Sequence, residues 1–245
     1  MFPIRDHNPS RRVPFVTYGL LAINVVIFLS YQMLEGRDLA IFYNTWGMVP
    51  VEITSGVDLH TLLTSMFLHG GWMHLVGNML YLWIFGDNME DAMGHGPFAA
   101  FYGISGLLAS CAQILWDPSS PVPNIGASGA IAGVLGGYLL LYPKARVDVL
   151  FFFIIIIRIV PIPAWIVLGA WLALQVVNGV LIDTQSGGVA YWAHAGGFVA
   201  GALLTLPLWR KRGARQFWSR THGHPPHPET RYRLARTNIP HSGGK

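Results

Sequence analysis

The chain has 245 residues, of which 52% are hydrophobic and 11% charged, with a mean hydropathy of +0.43. A soluble domain carries about 25% charged residues, and a chain this apolar has no interior large enough to hide its surface, so an ordinary soluble protein is excluded and lipid is the expected solvent. The net charge of +4 comes from basic residues gathered at the two ends without interleaved aromatics, which argues against nucleic-acid binding, and the single cysteine, Cys111, excludes an intrachain disulfide or a cysteine metal site.

Residues 1–14 form a polar, basic N-terminal arm. Phe15 to Leu34 is the first apolar run, the length needed to cross a hydrocarbon core of roughly 30 Å. No small-x-small cleavage site follows it, so it reads as a retained span rather than a signal peptide. Residues 35–71 mix acids and histidine with Trp46, Met48 and Phe67, a composition that predicts partial insertion at the membrane interface. Trp72 to Phe85, continuing toward Asp87, is the second span; Phe98 to Trp116 is the third and Ile125 to Tyr142 the fourth. The stretch from Val147 to Leu181 is too long for one span and is broken by Pro161 and Pro163. The fifth span is therefore expected from about Ile162, with Val147 to Ile157 an apolar segment near the interface. Tyr191 to Trp209 is the sixth span, and residues 210–245 read as a basic, poorly ordered tail.

Six spans place both termini on one side. With that side cytoplasmic, fifteen of the sixteen Lys and Arg residues lie inside and only Arg37 outside, as the positive-inside rule requires. The expected fold is thus an all-α, polytopic six-helix membrane bundle in a bacterial plasma membrane.

Polar residues inside spans are costly and point to function. His74 and Asn78 lie in the second span, Ser128 in the fourth and His194 in the sixth. All three spans enter from outside, so the four side chains come to a similar shallow depth, with Asn78 one turn, about 5 Å, below His74. Gly129, Gly133 and Gly137 repeat every four residues on the fourth span, and Gly197 and Gly201 do so on the sixth. Such faces let membrane helices pack backbone to backbone, which would bring the Ser128 hydroxyl within reach of the His194 imidazole, as an activated serine requires. Each residue also has a plain reading: a membrane serine bonding its own helix, histidine and asparagine as interhelical glue, glycines for packing alone.

Several motifs carry a resemblance. Gly126-Ala127-Ser128-Gly129 resembles the Gly-x-Ser-Gly motif of rhomboid intramembrane serine proteases. Ala193-His194 with Gly197 and Gly201 resembles the family's Ala-His-x-x-Gly-x-x-x-Gly, His69 to Asn78 its His-x4-His-x3-Asn, and Glu90 with Gly94 its Glu-x-x-x-Gly. The resemblance covers residues 15–209 and implies a catalytic domain there: a compact bundle with a shortened fourth helix. It implies a Ser128–His194 dyad, an oxyanion hole of His74, Asn78 and the Ser128 backbone N–H, transmembrane proteins as substrates, and no metal or cofactor. The nearest acid to His194, Asp183, lies in an outside loop, which favours a dyad over a triad. Two departures stand out: His60-Thr61 replaces a Trp-Arg pair some rhomboids carry, and Ala132 replaces a tyrosine that packs on the catalytic histidine. What orients His194 is therefore left open. Two other functions stay in view: a non-catalytic relative that binds or escorts membrane clients, and a transporter, although the inner halves of the spans offer few polar groups for a pathway. The tail histidines His222, His224 and His227 read as a solvated stretch.

Overall fold

A computed structural model describes residues 2–153, 156–182 and 188–225. Six long helices correspond to the six apolar runs: α1 (Phe15–Tyr31), α5 (Trp72–Met93), α6 (His95–Trp116), α7 (Ser128–Leu141), α8 (Ala164–Leu181) and α9 (Tyr191–Lys211). The mixed stretch between the first two holds short helices α2 (Gly36–Trp46), α3 (Pro50–Thr54) and α4 (Thr61–Thr64), followed by a 3-10 turn. Among the described helices, α6 and α8 are long and apolar enough to cross a membrane by length and composition alone, while α1 and α7 are apolar but shorter. α7, with 14 residues, spans only about 21 Å.

The expected all-α fold needs correction. β1 (Phe2–Asp6), β2 (Arg146–Phe153) and β3 (Ile156–Pro163) form an antiparallel sheet in the order β1-β2-β3. The segment expected near the interface, Val147 to Ile157, thus holds most of β2 and the first residues of β3. The physical reason is composition: the run from Val147 is β-branched and aromatic, which suits a pleated strand, and Pro161 and Pro163 sit on the edge strand β3, where proline is tolerated. A second difference lies in the tail, where α10 (Arg215–Thr221) folds back and buries Phe217 against the bundle. Residues 226–245, His227 included, lie outside the described residues.

α7 is the central helix. Ten of its residues are buried, and α6 and α9 pack along it. A Cβ added to Gly201 would run into the Gly133 backbone, and one added to Gly197 would meet the Gly129 carbonyl. α9 therefore lies on the α7 main chain itself. The glycines of α7 face differently than the paired stripes suggest: Gly129 and Gly133 abut Ala109 and Ser105 of α6, and Gly136, rather than Gly137, meets the α9 backbone at Phe198.

Glu90 secures the other side. Buried near the end of α5, it accepts hydrogen bonds from the Val16 and Thr17 N–H groups (2.9 and 2.8 Å) and the Thr17 hydroxyl (2.7 Å), and it pairs with His95. Pro14, which precedes α1, offers no side-chain cap, so Glu90 satisfies N–H groups that a helix start leaves unpaired. Gly94 makes the turn into α6 at φ +87°, a conformation that favours glycine. The N-terminal arm is tied down by Asp6, which accepts from the Tyr138 hydroxyl (2.6 Å) and the Asn88 amide (3.0 Å).

The outer faces of α1, α6 and α8 stay apolar: Val26, Leu29, Leu115, Leu174 and Val180 are each at least half exposed. Patches of that kind belong against lipid or protein.

Two outcomes test this packing. Gly201→Ala should destabilise the protein by about 1–3 kcal/mol through overpacking, read as a lower thermal unfolding midpoint in detergent, whereas Gly169→Ala on α8, where nothing lies within 4 Å of an added Cβ, should leave it unchanged or slightly raised. Glu90→Ala should cost about 2–3 kcal/mol by orphaning the buried Thr17 groups, and a wild-type midpoint for this variant would contradict the capping role.

Candidate active site

The loop before α7 is pinned before the helix begins. Met48 and Asn124 exchange two backbone hydrogen bonds (3.0 and 2.7 Å), and the Gly126 N–H donates to the Ser65 carbonyl (2.9 Å). Gly126 has φ +133°, and a Cβ there would stand 2.9 Å from His74 Nε2. Only a glycine lets the chain pass so close to the imidazole. Ser128 is the first residue of α7, so its N–H belongs to the first turn, which has no intrahelical acceptor and lies at the positive end of the helix dipole.

His194 stands one turn into α9 and is buried. Its Nε2 lies 2.6 Å from the Ser128 hydroxyl, and its Nδ1 lies 2.7 Å from Gln175 Oε1 on α8. An amide oxygen only accepts, so Nδ1 carries the proton and Nε2 presents a lone pair to the hydroxyl. That tautomer can take a proton from serine. The Trp171 ring lies 5.7 Å from the imidazole at a 34° tilt. It supplies from α8 an aromatic contact that Ala132, wholly buried inside α7, cannot make. Gln113 of α6 accepts from the Ala193 N–H (3.2 Å) and steadies the start of α9.

Ser128, His194, His74 and Asn78 line one cavity of about 490 Å³. His74 Nδ1 accepts from the Gly70 N–H (3.2 Å), so its proton sits on Nε2, the atom beside Gly126. The Asn78 Nδ2 group is buried and has no partner among the described residues. His74 Nε2 and the unpartnered Asn78 amide thus share the cavity with the serine. His69, which opens the same sequence motif, does not line the cavity. Its ring packs edge-on to His74 at 5.1 Å, and its carbonyl accepts from the Tyr31 and Tyr43 hydroxyls.

Of the residues singled out in the sequence, Ser128, His194, His74, Asn78 and Gly126 come together. Gly129, Gly197 and Gly201 sit just behind as packing contacts, and Glu90 and Gly94 lie at the far end of α5. Gln175, Trp171 and Gln113 went unrecognised. A glutamine inside an apolar run is the signal that could have found the first. Asp183 lies outside the described residues, so its expected distance from the histidine is untested.

Comparison with known proteins agrees with the motifs. The Rhomboid domain family model matches residues 57–211. Rhomboid protein 1, mitochondrial, of Saccharomyces cerevisiae is 32% identical over 196 residues, covering 77% of this chain and 51% of its own. Rhomboid protease GluP of Bacillus subtilis is 32% identical over 126 residues, covering 51% of this chain and 24% of its own. Presenilin-associated rhomboid-like protein A, mitochondrial, of Danio rerio is 25% identical over 211 residues, 82% of this chain and 51% of the relative. The chain thus spans about half the length, or less, of these relatives. Mitochondrial proteins stand among them beside a bacterial one, so the expected bacterial plasma membrane is not supported. With motifs, matched domain and relatives in agreement, the chain belongs to the rhomboid family of membrane-embedded proteins.

Proposed function

We propose that the protein is an intramembrane serine endopeptidase that cuts transmembrane protein substrates with a Ser128–His194 dyad. The observation that carries this is the 2.6 Å contact between the Ser128 hydroxyl and His194 Nε2, with the opposite ring nitrogen held by Gln175. In this reading α1, α5, α6, α7, α8 and α9 are six spans within a catalytic domain of residues 15–209. The basic ends lie on one side of the membrane, and the cavity opens toward the other.

Ser128 Oγ attacks the scissile carbonyl while His194 Nε2 takes its proton. In this reading the new oxyanion is met by His74 Nε2–H, the Ser128 N–H and Asn78 Nδ2–H, the last of which has no partner among the described residues. Collapse of the tetrahedral intermediate expels the amine, which receives the proton from His194. Water entering through the cavity then attacks the acyl-enzyme, with His194 again as base. Gln175 is a positioning residue: it fixes the tautomer and ring orientation without the negative charge that a carboxylate would add beside the imidazolium.

A fluorophosphonate probe should label the wild type and not Ser128→Ala; equal labelling would remove Ser128 as nucleophile. Cleavage of a model transmembrane substrate should fall at least about a thousandfold in Ser128→Ala and His194→Ala. An inert wild type that still binds such substrates stoichiometrically would favour a client-binding role instead. Gln175→Ala should lower kcat about tenfold, the worth of one hydrogen bond, with KM unchanged, while Gln175→Glu, which keeps an acceptor at that reach, should retain most activity. A Gln175→Ala enzyme with wild-type kcat would show that the contact does not orient the base.

A further inference from the structure

The end of the bundle opposite the dyad holds a second cavity, of about 840 Å³. α7 separates the two: Ser128 opens this helix and Tyr142 caps it, a rise of about 21 Å. The cavity wall is assembled from distant parts of the chain. The N-terminal arm supplies Arg11 and Arg12, the end of α5 supplies Asp91, the close of α9 supplies Arg212, and α10 supplies Arg220. Four guanidinium groups therefore border one space against a single carboxylate.

Those charges are not spent on each other's neighbours. Arg212 donates to the Tyr142 hydroxyl and the Ala92 carbonyl (both 3.1 Å), and Arg220 donates to the Arg212 carbonyl (2.8 Å). All three acceptors are neutral. Among the described residues the salt bridges of arginine and histidine run instead to Asp148, Asp58 and Glu90. A preference for basic residues on one side of a membrane asks only that they flank the spans. It does not ask that an N-terminal arm and a helix beyond the last span fold back to point four of them into one cavity, where like charges repel.

An anion removes that repulsion. The guanidinium fork matches the oxygens of a phosphate, which it can bind with two parallel hydrogen bonds. The volume exceeds that of a bare phosphate and admits a glycerophosphate headgroup. Phe217, buried beneath the Arg212 guanidinium at 5.7 Å, adds an apolar wall. If the spans cross as proposed above, a premise on which this inference rests, the cavity lies at the membrane surface on the basic side, where acidic lipid headgroups concentrate.

We propose that this cavity binds a phosphate group, either the phosphodiester of an acidic lipid headgroup or a free phosphate anion, held by Arg11, Arg12, Arg212 and Arg220. The test uses the full chain, delipidated in a non-ionic detergent and phosphate-free buffer, titrated with dioctanoyl phosphatidylglycerol, dioctanoyl phosphatidylcholine and inorganic phosphate. Saturable one-site binding of phosphatidylglycerol is expected, at least about tenfold tighter than phosphatidylcholine. It should weaken by about tenfold or more in R11Q/R12Q, where charge-assisted bonds are lost. Inorganic phosphate that binds as tightly and competes identifies the free anion as ligand; phosphate that binds far more weakly identifies the lipid. Absence of saturable anion binding, equal affinity for phosphatidylcholine, or undiminished binding in R11Q/R12Q each overturns the proposal. Fluorophosphonate labelling of the same samples separates the two readings. Labelled protein without anion binding removes the phosphate site alone, and anion binding without labelling removes the protease reading alone.

Discussion

The contact on which the rest of the molecule depends is the approach of α9 to the bare backbone of α7. Gly197 and Gly201 leave no room for a side chain against Gly129 and Gly133. In lipid, burial of apolar surface does little to pull helices together, so close packing and interhelical hydrogen bonds must do it. Small residues serve that end by bringing two backbones to van der Waals distance. The same approach sets the geometry of the candidate site. His194 lies three residues before Gly197, and Ser128 directly precedes Gly129, so the glycine contacts hold hydroxyl and imidazole at 2.6 Å. α6 closes the third side through Ala109 and Ser105, which occupy the space that side chains at Gly129 and Gly133 would need.

Polar groups around this contact are shared out with little redundancy. Both nitrogens of His194 have partners, one to give a proton to and one to take it from. Both nitrogens of His74 are assigned by a single backbone N–H from Gly70. The buried amide of Asn78 is left over, a cost in the resting protein that, in the proposed mechanism, a developing oxyanion repays. With Gln175 in the place where a triad would put an acid, the histidine is oriented without burying another ion, which in an apolar bundle would carry a large desolvation penalty.

The molecule is also polarised along its axis. At the dyad end, the α2–α4 region and its following turn clasp the loop before Ser128. At the other end the sheet, the Asp6–Tyr138 bond, the Glu90 cap and α10 bind the N-terminal arm, α1 and the segment after α9 to the bundle. Among the described residues, Arg11, Arg12, Arg212 and Arg220 converge on one space at this second end.

Much of this was readable in the chain. Span-length apolar runs locate all six long helices, five of them to within about three residues, because helix length and hydropathy are local properties; α5 runs on to Met93, six residues past Asp87, through a polar stretch. The serine, both cavity histidines and the asparagine are visible because polar side chains are rare in such runs, and the glycine spacing shows where two helices can touch. Tertiary structure decided what depends on residues far apart in sequence. Arg146–Phe153 and Ile156–Pro163 became strands only because each found a neighbour to share backbone hydrogen bonds with. Gln175 became the partner of His194 only because α8 turns that face inward, and which glycine meets which backbone followed from three helices meeting at once. Local pattern thus specified which groups enter the bundle; the partner of each, and so the tautomer of each imidazole, was set by packing that no single segment encodes.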